Sequence, residues 1–87
     1  MPMLNSPHPG EHVRACLDEM GWSVAEAARQ LGVARNTLSR LLHGRHGISA
    51  DMALAMERVG WSNAEQWMRV QAAYDLAQAK LRAAAAS

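Results

Sequence analysis

The chain has one cysteine, Cys16, among 87 residues, so no disulfide can form within it, as suits a cytoplasmic protein. The sequence gives that thiol no activating neighbours, and it reads as a small core residue. Phenylalanine is absent and β-branched residues are few, which works against a sheet. No apolar run approaches the roughly 20 residues that span a bilayer, and a membrane is not expected as a partner. The first ten residues carry prolines where a secretory leader would carry an apolar stretch. Also missing are a phosphate-binding glycine loop, a nucleophile with matched histidine and carboxylate, and a set of metal ligands. His8 and His12 are four apart, but Pro9 and Gly10 between them disfavour one helical face. No catalytic residue, metal or cofactor is therefore expected, and the chain does not read as an enzyme.

What is present is 49% hydrophobic, rich in alanine, and includes six methionines, a composition that favours an all-α fold. At this size one domain is expected, with a modest core that a second copy would help to stabilise. Ser23 to Gly44 reads as two short helices joined at Gly32, a helix-turn-helix. Ser23 and Glu26 have the spacing of a capping box, and Ala27 and Ala28 are small enough for a close helix crossing. Val33, Leu38, Leu41 and Leu42 give the second helix an apolar face. Arg35, Asn36, Ser39, Arg40 and His43 are left to point outward, with Asn36, Arg40 and His43 in one stripe at i, i+4, i+7. From Ala27 to Ala50 there are four arginines and no acidic residue, so the rest of a chain of net charge +1 carries −3. This polarised distribution points to double-stranded DNA.

Residues 1–9, with all three prolines, read as a flexible N-terminal arm ahead of a helix-turn-helix domain over 10–87. The first helix is expected over Gly10 to Met20, with Val13, Cys16, Leu17 and Met20 toward the core. Ser49 and Asp51 begin a later helix that buries Met52, Ala55, Met56 and Val59. G-W-S-N-A-E at residues 60–65 echoes the earlier G-W-S-V-A-E at 21–26, and Ser62 with Glu65 reads as a second capping box. A last helix over 63–85 carries Trp67, Val70, Tyr74, Ala77, Leu81 and Ala84 at alternating spacings of three and four. This heptad seam predicts a homodimer through Val70, Tyr74, Ala77 and Leu81.

Four stretches together carry a family likeness: H-P-G-E at His8 to Glu11, the L-G-V-x-R-N-T-L-S-R-L-L run, G-I-S-x-D-M-A-L from Gly47, and W-M-x-V-Q-A-A-Y-D-L-A-Q from Trp67. On these the chain resembles the HigA family of bacterial antitoxins, in the phage-repressor-like group of helix-turn-helix proteins. The opening motif joined to Q-A-A-Y-D-L is the specific part; the central run is common to many regulators. His43 stands where the family often has asparagine. The resemblance implies a five-helix, lambda-repressor-like domain with a long C-terminal helix. It also implies an antitoxin that represses its own operon and neutralises a RelE-like, ribosome-dependent messenger-RNA endonuclease, a HigB-type toxin.

For DNA recognition, Arg35 and Arg40 suit guanine edges or phosphates, Asn36 suits adenine, and Ser39 or His43 a base edge or phosphate. Thr37, Arg45 and Arg29 are expected on the backbone. Two readings compete with the antitoxin: a stand-alone repressor without a toxin, and a protein-interaction module built on the last helix. The acidic residues Glu11, Asp18, Glu19 and Glu57 offer a face to a basic toxin, as they would equally to solvent.

Overall fold

The computed structural model describes residues 7–86. Five helices follow in order: α1 (Pro9–Met20), α2 (Val24–Leu31), α3 (Arg35–Leu42), α4 (Ala50–Arg58) and α5 (Ala64–Ala86). No strand occurs among the described residues. The first six residues of the expected arm lie outside them, while Pro9, assigned to that arm, forms the first position of α1 and is buried. Proline suits that position because its missing N–H would have no partner there.

Side chains close most of the helix starts. His8 Nδ1 accepts the Gly10 N–H at 2.9 Å, Ser23 Oγ accepts from Glu26 N–H, and Ser49 Oγ accepts from Met52 N–H. Two expected caps come out differently. At α2 only the serine half of the box forms, because the Glu26 carboxylate turns to Arg29 and Gln30. At α5 the cap is Asn63, whose Oδ1 accepts from Gln66 N–H at 2.8 Å. Ser62 sits one residue earlier with φ 59°, in the left-handed region, and takes up the change of direction.

The core forms where α1 to α4 meet the first turns of α5. Val13, Leu17, Ala27, Leu31, Leu38, Leu41, Ala53 and Met56 are fully buried or nearly so, with Ile48, Met52, Trp61 and Trp67 around them. Truncating any one of these leucines to alanine would cost about 2–5 kcal/mol. Met20, expected in the core stripe of α1, is 46% exposed, because α1 is ending there beyond the reach of α3 and α5. The two tryptophans of the echoed G-W-S turns meet each other: Trp22 and Trp61 have ring centroids 5.7 Å apart. The echo thus marks two connections packed together. With 23 residues α5 is about 35 Å long, and it accounts for most of the 44 Å long axis.

Candidate nucleic-acid interface

The helix-turn-helix forms as α2 and α3. Ala27 and Ala28 are buried at their crossing, where a larger side chain would push the helices apart. Gly32 makes the turn at φ 71°, which most residues with a Cβ avoid. Arg58 reaches across from α4, its Nη2 donating to the Leu31 carbonyl at 3.1 Å, so the turn is tied to the helix behind it. Leu38 and Leu41 then anchor α3, and its opposite side faces solvent.

On that solvent side lie Arg35, Asn36, Arg40, His43 and Arg45, all exposed, with Ser39 half-buried among them. Ser39, Arg40, His43 and Arg45 line one concavity of about 280 Å³ at the end of α3. The His43 Nδ1 lies 2.7 Å from the Ser39 carbonyl oxygen. A carbonyl only accepts, so Nδ1 holds the hydrogen and donates to it. The ring edge that bears Nε2 is left for a base edge or a phosphate. At the other end of α3, Ala34 offers no side-chain cap, so the first-turn amides remain donors for an anion. Thr37 is half-buried and turned toward a second groove, with Gly32, Val33, Asp51, Leu54 and Arg58.

Arg29 stands apart from this group. Its guanidinium forms a two-point pair with Glu26, whose carboxylate also accepts from Gln30 at 2.7 Å. The arginine and glutamine hydrogen bonds hold the Glu26 carboxyl below its ordinary range, and the pair raises Arg29 in turn. The basic segment of the sequence starts at Ala27, one residue beyond the carboxylate that offsets Arg29. Three of its four arginine charges therefore remain for the α3 face.

Sequence reasoning missed what fixes the far end of α3. A Cβ on Gly10 would stand 2.1 Å from the Leu41 carbonyl oxygen, so the first turn of α1 rests directly on the last turn of α3. The His8 ring packs edge-on against Tyr74, with centroids 4.7 Å apart. Gln71, 9% exposed, accepts the Ile48 N–H through Oε1 at 2.7 Å and donates through Nε2 to Asp75 Oδ1 at 2.9 Å. The H-P-G-E and Q-A-A-Y-D motifs thus converge on α3 and on the loop that carries Arg45. Their available signal was a polar residue, Gln71, on the core-facing side of a helix.

Of the seam residues on α5, Val70 and Tyr74 are half-buried, Ala77 is buried and Leu81 is exposed. Val70 lines a groove with His12, Cys16 and Trp67 of its own domain. Burial raises the Cys16 thiol above its ordinary range, and the charge of Glu19 adds to this. Among the described residues no three histidine, cysteine or carboxylate side chains gather as a metal site, and no helix is long and apolar enough to cross a membrane.

Comparison with known proteins agrees with this architecture. A family model described as helix-turn-helix matches residues 13–59. The helix-turn-helix-type transcriptional regulator YddM of Escherichia coli (strain K12) is 38% identical over 80 residues, covering 92% of this chain and 85% of that protein. Among solved structures, the antitoxin GraA is 42% identical with a TM-score of 0.84, over 88% of this chain and 84% of that one. The Pseudomonas aeruginosa antitoxin HigA, solved with the higBA promoter, is 38% identical with a TM-score of 0.85, over 90% and 86%. With five helices in this order and likeness over nearly its whole length, the chain belongs to the helix-turn-helix family, in its HigA-like branch.

Proposed function

We propose that the chain is an antitoxin that binds operator DNA as a homodimer, represses its own operon and neutralises a RelE-like messenger-RNA endonuclease of the HigB type. The observation that carries the DNA half is the exposed side of α3, where four predicted contact residues line one concavity beside Arg35 and Asn36. In this reading α3 enters the major groove. Arg35 and Arg40 take guanine edges or phosphates, Asn36 takes adenine, and Ser39 and His43 meet a base edge or phosphate. Thr37 and Arg45 hold the DNA backbone, and Arg29 joins them only by exchanging Glu26 for a phosphate. Two copies read half-sites about 34 Å apart. The HigA neighbour solved with its promoter supports this half. Support for the toxin half is the likeness to proteins described as antitoxins. A repressor without a toxin is the second reading, in keeping with the relative described as an uncharacterized transcriptional regulator.

Fluorescence anisotropy at about 150 mM salt tests the DNA half, comparing the gene's own upstream region with a mixed-sequence duplex. The expected preference is about a thousandfold or more. Equal affinity for both duplexes would refute it. Co-expression with the product of the adjacent gene tests the toxin half: a stable complex and restored growth are expected, and neither appears if the repressor acts alone.

A further inference from the structure

Helix α3 ends in a Schellman turn. Gly44 takes φ 75°, its N–H donates to the Leu41 carbonyl at 3.1 Å, and the Arg45 N–H donates to the Arg40 carbonyl at 2.8 Å. The second bond sets the direction in which Arg45 leaves the helix and keeps it beside Arg40 in the concavity they share. What lies against this turn comes from the start of α1. The His8 ring faces Gly44, where an added Cβ would stand 3.8 Å from Cγ and Cδ2 of the ring. Gly10 closes on the Leu41 carbonyl, the same oxygen that accepts the Gly44 N–H. The imidazole is itself held on two sides, by the Gly10 N–H on Nδ1 and by the edge-on contact with Tyr74 of α5. The positive end of the α1 dipole thus meets the negative end of the α3 dipole, which favours the contact.

We propose that His8 is a positioning residue for DNA contact: its ring, wedged between Tyr74 and Gly44, holds the turn that aims Arg45 at the DNA backbone. The proposal rests on the operator-binding reading, in which Arg45 meets phosphate. Two observations set the ring apart from the cap that the same side chain provides. First, a cap needs only a side-chain acceptor, which Ser23, Ser49 and Asn63 supply at other helix starts. A histidine adds width, and here the width spans from α5 to the turn. Second, the contact lies at the edge of the domain. His8 is half-buried and Gly44 exposed, so losing the ring leaves the buried anchors Leu38 and Leu41 untouched. A turn centred on glycine has the most backbone freedom to lose, and gains most from a side chain packed against it.

Two variants separate the ring from the cap. His8→Asn keeps a side-chain acceptor for the Gly10 N–H and removes the ring, whereas His8→Phe keeps a ring and removes the acceptor. Each is read in the full chain by operator anisotropy over a range of salt, and by amide hydrogen exchange without DNA. His8→Asn is expected to lose roughly tenfold in operator affinity, with the slope of log affinity against log salt shallower by about one per copy. In an Arg45→Ala background the same substitution should cost nothing further, because the residue through which it acts is gone. The Gly44 and Arg45 amides should exchange faster in His8→Asn, while the Leu38 amide does not change. His8→Phe should melt lower yet keep the operator affinity, a rescue that a purely stabilising role would not give. A His8→Asn variant that binds the operator as tightly as the wild type overturns the proposal. So does an equal loss with and without Arg45, and so does unchanged exchange at Gly44 and Arg45. A wild type without operator preference, whose Gly44 and Arg45 amides still loosen in His8→Asn, upholds the wedge and removes only the operator reading.

Discussion

Replacing Gln71 with methionine isolates what its amide does, because methionine keeps nearly the same length and volume. In the native chain Oε1 takes the buried Ile48 N–H at 2.7 Å, and Asp75 holds the amide by its Nε2 at 2.9 Å. The thioether is a poor acceptor, so the Ile48 N–H loses its partner inside the protein. An orphaned buried donor costs about 1–3 kcal/mol, and packing changes little. In a domain of this size each kcal/mol lowers the melting temperature by about 4–8 °C, so a fall of roughly 5–20 °C is expected. Circular dichroism melts of the wild type and of Gln71→Met, Gln71→Ala and Gln71→Glu measure it. Gln71→Ala should fall further through its lost packing. Gln71→Glu keeps an acceptor for Ile48 but places a carboxylate against Asp75, so it also melts below the wild type. A methionine variant melting within about one degree of the wild type would refute the reasoning. It would mean that Ile48 finds another acceptor and that Gln71 does not hold the loop bearing Arg45.

Arg40→Ala should cost about 1–3 kcal/mol on the operator and much less on a mixed-sequence duplex. Equal losses on both, read by anisotropy, would reassign Arg40 to phosphate. Glu26→Gln frees Arg29 for the DNA backbone, so binding should tighten and the slope of log affinity against log salt should steepen by about one. An unchanged slope would mean that Arg29 does not reach phosphate. The same pair carries a pH signature. The folded Glu26 carboxyl is held below its ordinary range, so the contribution of the pair is present above that range and fades as pH falls through the lowered value.

The helix-turn-helix was legible because its signals are local. Ser23 and Ser49 sit at helix starts, Gly32 at the turn, and the leucines of α3 at helical spacing, and each took its expected place. Where two local signals competed, spacing alone could not choose between them: Ser62 and Asn63 both suit a cap, and the turn packed under Trp61 decides for asparagine. The partner of Arg29 was missed through the choice of window, since Glu26 lies just ahead of the basic stretch. The two sides of α5 were harder. Stripes such as Trp67–Val70–Tyr74 and Met68–Ala72–Leu76 have equal claims by periodicity, and only the packing of α1 shows which one the domain keeps. The roles of Gln71 and Gly10 depend on residues 23 and 31 positions away in the chain, beyond the reach of any local pattern.

The side chains on the outer face of α3 have little part in holding that helix in place. Leu38 and Leu41 anchor it from beneath, Gly10 closes on its end, and Gln71 fixes the loop beyond. Arg35, Asn36 and Arg40 can therefore be exchanged with small effect on stability, since exposed substitutions of this kind fall within about 0.5 kcal/mol. In the proposed reading, where these residues meet the operator, paralogues arising by duplication could diverge at them to serve separate promoters without first acquiring compensating changes in the core. In the same reading, the domain suits engineering of orthogonal repressors by randomising three codons.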